Sequence, residues 1–378
     1  MIDTIVIVSD TIEESIARKI ESSSIIKFGI DCSLNETLYT FTSNELRGSF
    51  DNRIRLQVKR SKFIHLPESN TVEKVDCDPY LEIEASLHKF HLGHNVYGGS
   101  NHLFYQVTNL INFINVTFNI DLPAEEYIYY YPEENFSYFN DFWKVKRIDI
   151  AKVYNLGDNL DNFFNGFSHV YYPRRRVLKF DNSGLYFPGS YTTLKMYHKG
   201  KEFKKHDRKR LLSIKGIEET NKLQSIADNL LRIELEIKSK KLRDMNKGDL
   251  PYLFQVDILE LEEQFNVELK RVFKLGEDNM KLYNNSKDVE KRLKQLYGSS
   301  FNIYYGTWSR LAVFGYDDVK NSMNKATFYR HITKLREAGI TWNHTDITKK
   351  ENNVVEFIFN PFNTDLELKE DLIYKIAN

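Results

Sequence analysis

The sequence predicts an α+β protein: an antiparallel sheet with helices, followed by a C-terminal helix-turn-helix-like domain. Three observations lead there. Runs rich in β-branched and aromatic residues, broken by turn residues, fill positions 1–90. Alternation of apolar and polar residues returns at 184–199 and 230–238. Residues 299–378 hold two helix-spaced segments joined by a short turn. The chain has 378 residues, more than one ordinary core sustains. The expected division is 1–248 for the sheet domain, 249–298 for a charged helical connector and 299–378 for the C-terminal domain.

Taken in order, "TIVIVS", "SSIIKFGI", "RIRLQVKRSKFIHL" and "PYLEIEASL" read as strands separated by polar turns. "HLFYQVTNLINFINVTF" has apolar residues at helical spacing. "EEYIYYYP" and "WKVKRIDIAKVYNL" read as two further strands. Residues 155–183, rich in Asn, Asp and Gly, read as a loop region. "GLYFPGSYTTLKMYHK" reads as one strand with Leu194 and Met196 on a common face. Residues 218–247 begin helical. "LLRIELEIK" then sets Leu231, Ile233, Leu235 and Ile237 on one face and Arg232, Glu234, Glu236 and Lys238 on the other. "DDVKNSM" and "ATFYRHITKLREAGI" read as two helices, the second closed by Gly339 at a C-cap.

Composition narrows the function classes. A hydrophobic fraction of 41% with 14% aromatics supports sizeable cores and excludes a disordered chain. Fifty-three basic residues balance 53 acidic ones, so attraction to a polyanion has to come from local clusters. Cys32 and Cys77 build neither a disulfide framework nor a cysteine-based zinc site, and suit a reducing compartment. "MIDTIVIVSD" has an acidic third residue and a short apolar run, so it reads as a first strand rather than a signal peptide. No segment approaches the roughly 18 apolar residues of a membrane span. A soluble intracellular protein with no membrane partner is the expectation.

Charge does cluster locally. "SYTTLKMYHKGKEFKKHDRKR" sets Tyr197 between Lys195 and Lys199, with Lys201, Lys204, Lys205, Arg208, Lys209 and Arg210 just beyond. An ordinary phenol has a pKa of about 10. Cations beside its oxygen favour the phenolate, which can attack phosphorus. Strand packing, or a phosphate-facing lysine patch with an incidental tyrosine, are the other readings. Arg174, Arg175 and Arg176 add charge nearby in sequence.

Asp149 lies between Ile148 and Ile150 on a strand, where an unpaired carboxylate is costly to bury. It is either salt-bridged to a basic neighbour or a ligand for Mg²⁺ or Mn²⁺, which prefer carboxylate oxygens. Glu234 and Glu236 project from one sheet face; they are a solvated surface or, with Asp149 on a neighbouring strand, a hard-cation site. His88, His91 and His94 recur every three residues, but "GHNVYGGS" reads better as a turn than as a zinc site. Thr327, Tyr329, Arg330, His331 and Lys334 fall on the exposed side of the last helix. That suits a helix-turn-helix whose second helix enters the major groove, with a plain helical hairpin as the alternative.

The segments "MID", "EIEASLHKFHLGHNVYGG", "KRIDIA", "LKMYHKGKE", "LLRIELEIK" and "GYDDV…ATFYRHITKLREAGI", in this order, resemble the replication initiators of filamentous phages, the gene II protein family. The resemblance implies a nicking-joining enzyme of rolling-circle replication on a degenerate form of the His-hydrophobic-His (HUH) nuclease sheet. A tyrosine would cut one strand at the origin, hold the 5′ phosphate as a phosphotyrosine, free a 3′-OH for synthesis and later rejoin the ends. Tyr197-His198-Lys199, followed by Glu202, matches the family's Tyr-x-Lys element. Arg147-Ile148-Asp149 matches its Arg-Ile-Asp element. Arg232 and Glu234 match Leu-x-Arg-x-Glu, which favours Glu234 over Glu236; Glu82, His94 and Asn95 also match.

On that resemblance Lys199 offsets charge on the phosphate or the phenolate. Asp149, Glu234, Glu82 and His94 are the expected ligands of one Mg²⁺ or Mn²⁺. Lys195, Lys201, Lys204, Lys205 and Arg174–Arg176 would grip the DNA backbone, and Thr327, Tyr329, Arg330 and Lys334 would read the origin. The chain departs from the wider nuclease pattern, since no His-x-His pair occurs and Asp149 takes the equivalent strand. The implied partners are origin DNA, duplex and single-stranded, with host helicase, polymerase and single-strand-binding protein in the host cell cytoplasm. The competing class is a non-catalytic origin-binding, copy-control or partition protein on the same fold.

Overall fold

The computed structural model describes residues 1–378 except 24, 32–35, 49, 67–70, 100, 125–140, 168–171, 173, 181–182, 274–279, 282, 343–344, 348–357, 360, 363–366 and 368–378. The strand expected at "EEYIYYYP" falls outside the described residues. The main strands are β1 (Ile2–Thr11), β2 (Ile25–Asp31), β3 (Glu36–Arg47), β4 (Arg53–Leu66), β5 (Thr71–Ser86), β6 (Trp143–Asn155), β7 (Leu178–Phe180), β8 (Gly184–Phe187), β9 (Thr192–His198) and β10 (Leu230–Lys238). They form one ten-stranded sheet in the order β2-β3-β4-β5-β1-β6-β10-β9-β8-β7. All of its pairings are antiparallel, in keeping with the α+β class.

The alternation read in "LLRIELEIK" sets the phase of the centre. Leu231, Ile233, Leu235 and Ile237 are fully buried and lie opposite Leu194 and Met196 of β9 and Ile148 and Ile150 of β6. In β6 the buried apolar positions run Trp143, Val145 and then Ile148, Ile150, skipping one residue. The skip is a bulge: Ile7 of β1 pairs with Val145, whereas Val6 pairs with Arg147. A bulge sets two successive residues against one on the partner strand. Lys146 and Arg147 therefore both serve the polar face, where they bond Glu82 and Glu84 of β5.

Helices α1 (Glu14–Ser22), α3 (Leu103–Phe118), α4 (Leu160–Phe167), α7 (Ser239–Met245) and α8 (Ile258–Phe273) pack on the apolar face and complete the main core. Short α2 (Leu87–Leu92), N-capped by Ser86, leads off β5. On the opposite face, α5 (Lys199–His206), α6 (Arg208–Ala227) and the loop around Val96 roof one end of β6 and β10. A second cluster of Val96, Val153, Phe203, Leu211, Leu223, Ala227 and Leu230 forms there. Helices α9 (Ser286–Tyr297), α10 (Phe301–Phe314), α11 (Tyr316–Asn321) and α12 (Lys325–Glu337) share a third core around Trp308, Phe328 and Leu335. Among the described residues no helix is long and apolar enough to cross a membrane.

Four expectations change. Residues 155–183 contain α4, because Leu160, Phe163 and Phe164 at helical spacing bury against the sheet despite the Asn- and Gly-rich context. "GLYFPGSYTTLKMYHK" is a hairpin of β8 and β9, since the chain turns at 188–191. Residues 249–298 are not a free connector: Leu261, Phe265 and Leu269 of α8 lie in the main core, and Val289 and Leu293 of α9 in the C-terminal one. Arg175 is not free for a ligand either. It donates to the carbonyl oxygens of Phe187 (3.3 Å) and Thr192 (3.0 Å) and pairs with Glu268 of α8 at 3.3 Å.

Gly200 explains one element of the local sequence. A Cβ at this position would lie 2.1 Å from Asp228 Oδ1 and 2.7 Å from Asp228 Cα, so α5 sits directly on the backbone that leads into β10. Gly200→Ala is expected to destabilise the fold by about 1–3 kcal/mol through overpacking. A lower urea midpoint at unchanged m-value is the measurement that checks it.

Candidate active site

Residues directly opposed in an antiparallel sheet share a face. By register, Arg147 and Asp149 of β6, Arg232, Glu234 and Glu236 of β10, and Thr193, Lys195 and Tyr197 of β9 all lie on the face away from the main core. Sequence reading placed these residues on separate strands; the fold makes the strands adjacent.

Tyr197 Oη donates a hydrogen bond to Glu234 Oε1. The same oxygen accepts from Arg232 Nε at 2.7 Å. Arg232 is fully buried, pairs through Nη2 with Asp3 Oδ2 at 3.0 Å, and donates through Nη1 to the Asn95 carbonyl at 2.7 Å. Asp3 accepts from Ser86 Oγ at 3.1 Å and from Asn95 Nδ2 at 3.3 Å. Asn95 Oδ1 in turn accepts from Lys199 Nζ at 2.6 Å, and Lys199 also pairs with Glu202. One continuous polar chain thus runs from Tyr197 through Glu234, Arg232, Asp3 and Asn95 to Lys199.

The electrostatics differ from those expected of a tyrosine among lysines. Burial, and then the Glu234 charge, pushes the Tyr197 phenol well above 10, with Arg232 opposing. Lys199 does not supply the expected positive field at the phenol. The strand ends at His198, so Lys199 begins α5, is fully buried, and turns to Asn95 and Glu202. Burial lowers its pKa. Lys195 stays on the strand and pairs with Glu236 at 3.3 Å. Burial works against the Asp3 charge, but Arg232 together with His88, Lys89 and Lys199 holds the carboxyl below the usual range.

Asp149 sits directly across from Glu236 and receives Arg147 Nε at 3.0 Å. Burial pushes its carboxyl up to about 7 although Arg147 and Lys195 oppose the shift. Of the four expected metal ligands, Asp149 and Glu234 share this patch. Glu82 is paired with Lys146. His94 is buried, lowered to about 3 by that burial with Lys215 and Lys199 adding to it, and its other charged neighbours are Asp207 and Arg210. Among the described residues no three His, Cys, Asp or Glu side chains form a group that could hold a metal ion.

The expected DNA contacts separate in the same way. Lys201, Lys204 and Lys205 are exposed on α5, and Arg174 and Arg176 are exposed on their loop. Tyr329 and Arg330 are exposed on α12, whose Asn324 cap accepts from Ala326 N at 3.0 Å and Thr327 N at 3.3 Å. Thr327 is half-buried, and Lys334 pairs with Glu337 at 2.9 Å. His331 is buried rather than exposed, with Thr307 Oγ1 at 2.8 Å from its Nδ1. Tyr191 carries Lys240 over its ring, and Tyr172 is buried against Phe187 on the core side, so neither accompanies Tyr197. Tyr171 lies outside the described residues.

Asp3 was missed by sequence reading, although the signal was present. An acid between Ile2 and Thr4 at the head of an apolar strand carries the same burial cost that singled out Asp149.

The site is thus a tyrosine–carboxylate pair on a ten-stranded antiparallel sheet, braced by buried charge. The family described as the N-terminal region of the replication-associated gene II protein matches residues 1–268, and the chain belongs to it: the filamentous-phage gene II replication initiators. No match was found among curated proteins.

Asp149 generates a stability prediction. Between about pH 4 and 7 the folded carboxyl holds a proton that the unfolded one has lost. Stability is therefore greatest at the acid end and falls as pH rises through this window. In EDTA, the unfolding free energy of the parent relative to Asp149→Asn is expected to fall by on the order of 1 kcal/mol per pH unit from pH 5 to 7. Denaturant titrations of both chains across that range make the comparison; parallel curves exclude the effect.

Proposed function

We propose that this replication initiator nicks one strand of origin DNA with Tyr197 as nucleophile and rejoins the ends. The observation that carries the reading is the hydrogen bond from the half-buried Tyr197 phenol to Glu234, itself fixed by Arg232. Desolvation by itself asks only that the hydroxyl find some acceptor. A phenol that must release its proton needs a basic acceptor within reach.

In the reaction, Tyr197 Oη bonds to the scissile phosphorus in line with the 3′ oxygen, and its proton passes to Glu234. The bond from phosphorus to the 3′ oxygen breaks, and that oxygen takes a proton from solvent to become a 3′-OH. The 5′ phosphate remains on Tyr197. Attack by a 3′-OH on the phosphotyrosine reverses the exchange and reseals the strand. One phosphoester replaces another at each step, so no ATP is required. The freed 3′-OH and the displaced strand imply host polymerase, helicase and single-strand-binding protein as partners in the host cytoplasm.

Mg²⁺ or Mn²⁺ fits the donor chemistry on this face. Asp149, Glu234 and Glu236 carry hard oxygens, each paired here with Arg147, Arg232 or Lys195, and since no three acids gather as one group among the described residues, one or two of them would hold the ion. Magnesium is commonly held by one or two carboxylates, with water and substrate phosphate completing the shell. When bound, the ion would draw charge from a non-bridging phosphate oxygen. Glu82 and His94, engaged elsewhere, fall outside that set.

Lys201, Lys204 and Lys205 would hold the backbone in a salt-sensitive manner. Lys199 acts through Asn95, keeping the loop and Asp3 in place. On α12, Tyr329 and Arg330 with Thr327 would read bases as the second helix of a helix-turn-helix.

Tyr197→Phe is expected to abolish the denaturant-resistant protein–DNA adduct on supercoiled origin plasmid while origin binding changes less than about threefold. Glu234→Gln is expected to slow nicking by about 10²- to 10⁴-fold with binding retained. Gel assays for nicked circles and adduct check both. An adduct that persists in Tyr197→Phe would sink the assignment, and origin binding without nicking by the parent chain would favour the non-catalytic class.

A further inference from the structure

We infer that Phe180 and Tyr186 form a base-stacking subsite for single-stranded DNA beside Tyr197. The inference rests on the reading above that DNA is the ligand of this face.

The register carries it. β8 places Gly184 opposite Tyr197 and Tyr186 opposite Lys195. β7 places Phe180 opposite Gly184. Phe180, Tyr186, Lys195 and Tyr197 therefore lie on one face of three successive strands. Phe180 is 59% exposed, so its ring is open to a ligand. Its ring centroid is 6.2 Å from that of Tyr186, at an interplanar angle of 70°.

Between Phe180 and Tyr197 stands a residue with no side chain. A Cβ at Gly184 would meet Phe180 Cβ and Tyr197 Cβ at 3.7 Å, an ordinary contact, so sterics do not demand glycine here. Gly184 is buried and adds no side chain of its own, so Phe180 and Tyr197 stand close together on this face. A base laid on the Phe180–Tyr186 pair would then lie next to a phosphate held at Tyr197.

Lys195 completes the pattern, a cation on the strand between the aromatic pair and the carboxylates. Aromatic faces interleaved with cations bind single strands with little sequence preference, because every base has a π face. A duplex keeps its bases stacked inside and gains nothing from such a platform. A strand opened for nicking exposes them.

The test uses the full chain carrying Tyr197→Phe, which separates binding from chemistry. It is titrated with a single-stranded origin oligonucleotide bearing 2-aminopurine at successive positions around the nick. One position is expected to be quenched. Phe180→Ala and Tyr186→Ala should each weaken binding roughly tenfold and remove that quench. The slope of log affinity against log salt should stay unchanged in both, since no ionic contact is lost. Tyr186→Phe should behave as the parent, and duplex origin binding should not change in any of them.

Alanine variants that bind and quench like the parent overturn the inference. So does a Tyr186→Phe loss equal to that of Tyr186→Ala, because the hydroxyl rather than the ring would then be the contact. Phe180 is exposed, so its alanine variant does not depend on refilling a core. Failure of Tyr197 to form an adduct in the otherwise unchanged chain counts against the nucleophile alone and leaves these binding results standing.

Discussion

The guanidinium of Arg232 is the point on which the polar half of the molecule depends. It has no solvent exposure, and a buried ion costs several kcal/mol unless it is paired and fully hydrogen-bonded. Asp3 from β1 supplies an ion pair, and Glu234 from β10 and the Asn95 carbonyl from the loop after α2 accept hydrogen bonds. Three segments far apart in sequence are thereby bound to one charge. Removing any partner of such a set leaves an uncompensated buried charge, which is why these contacts act as a unit. Tyr197 is attached to that unit through Glu234, so the orientation of its hydroxyl is decided by residues that never touch it.

The bulge in β6 determines what else shares the face. Without the extra residue between Val145 and Ile148, strict alternation from Trp143 would turn Asp149 into the apolar core. The phase skip instead keeps Ile148 and Ile150 in the core and brings Asp149 opposite Glu236. It also gives two adjacent cations, Lys146 and Arg147, to the acidic residues of β5. The acids of β5 are thus largely neutralised, whereas Asp149, deeper in the sheet, keeps a carboxyl pushed up to about 7 by burial.

Much of the fold was legible, and the reason is periodicity. β10 and β9 declare their faces by alternation, and α3 by helical spacing, because each buries one side only. The candidate site was legible as residue types: Tyr197, Asp149 and Glu234 stand out as polar groups in apolar or basic runs. Their partnership was not legible, since the adjacency of β6, β10 and β9 depends on long-range pairing that no local pattern encodes. Lys199 was misplaced for a different reason. The alternation through Lys195 and Tyr197 continues in register, and only the N-cap at His198, which accepts from Gly200 N at 3.2 Å, converts the next residue to helix. α4 and α8 were undervalued because their composition, rich in Asn or in charge, outweighed the few apolar positions that bury.

Burial and reactivity oppose one another at Tyr197, and their opposition bears on the proposed mechanism. A phenol pushed well above 10 stays protonated at neutral pH and is a poor nucleophile. If Tyr197 is the nucleophile, as proposed, the desolvation that positions it would also keep the resting site unreactive. On the proposed reading, activation arrives with the substrate: attack and proton transfer to Glu234 take place together, so that a free phenolate need never accumulate. Arg232 stabilises the negative charge whether it resides on Glu234 or is developing on the phenol oxygen, because it adjoins both. On that reading, a nucleophile gated in this way would spare phosphates other than the cognate one. The buried arginine that organises the fold would then also be the reason the tyrosine reacts only when DNA is in place.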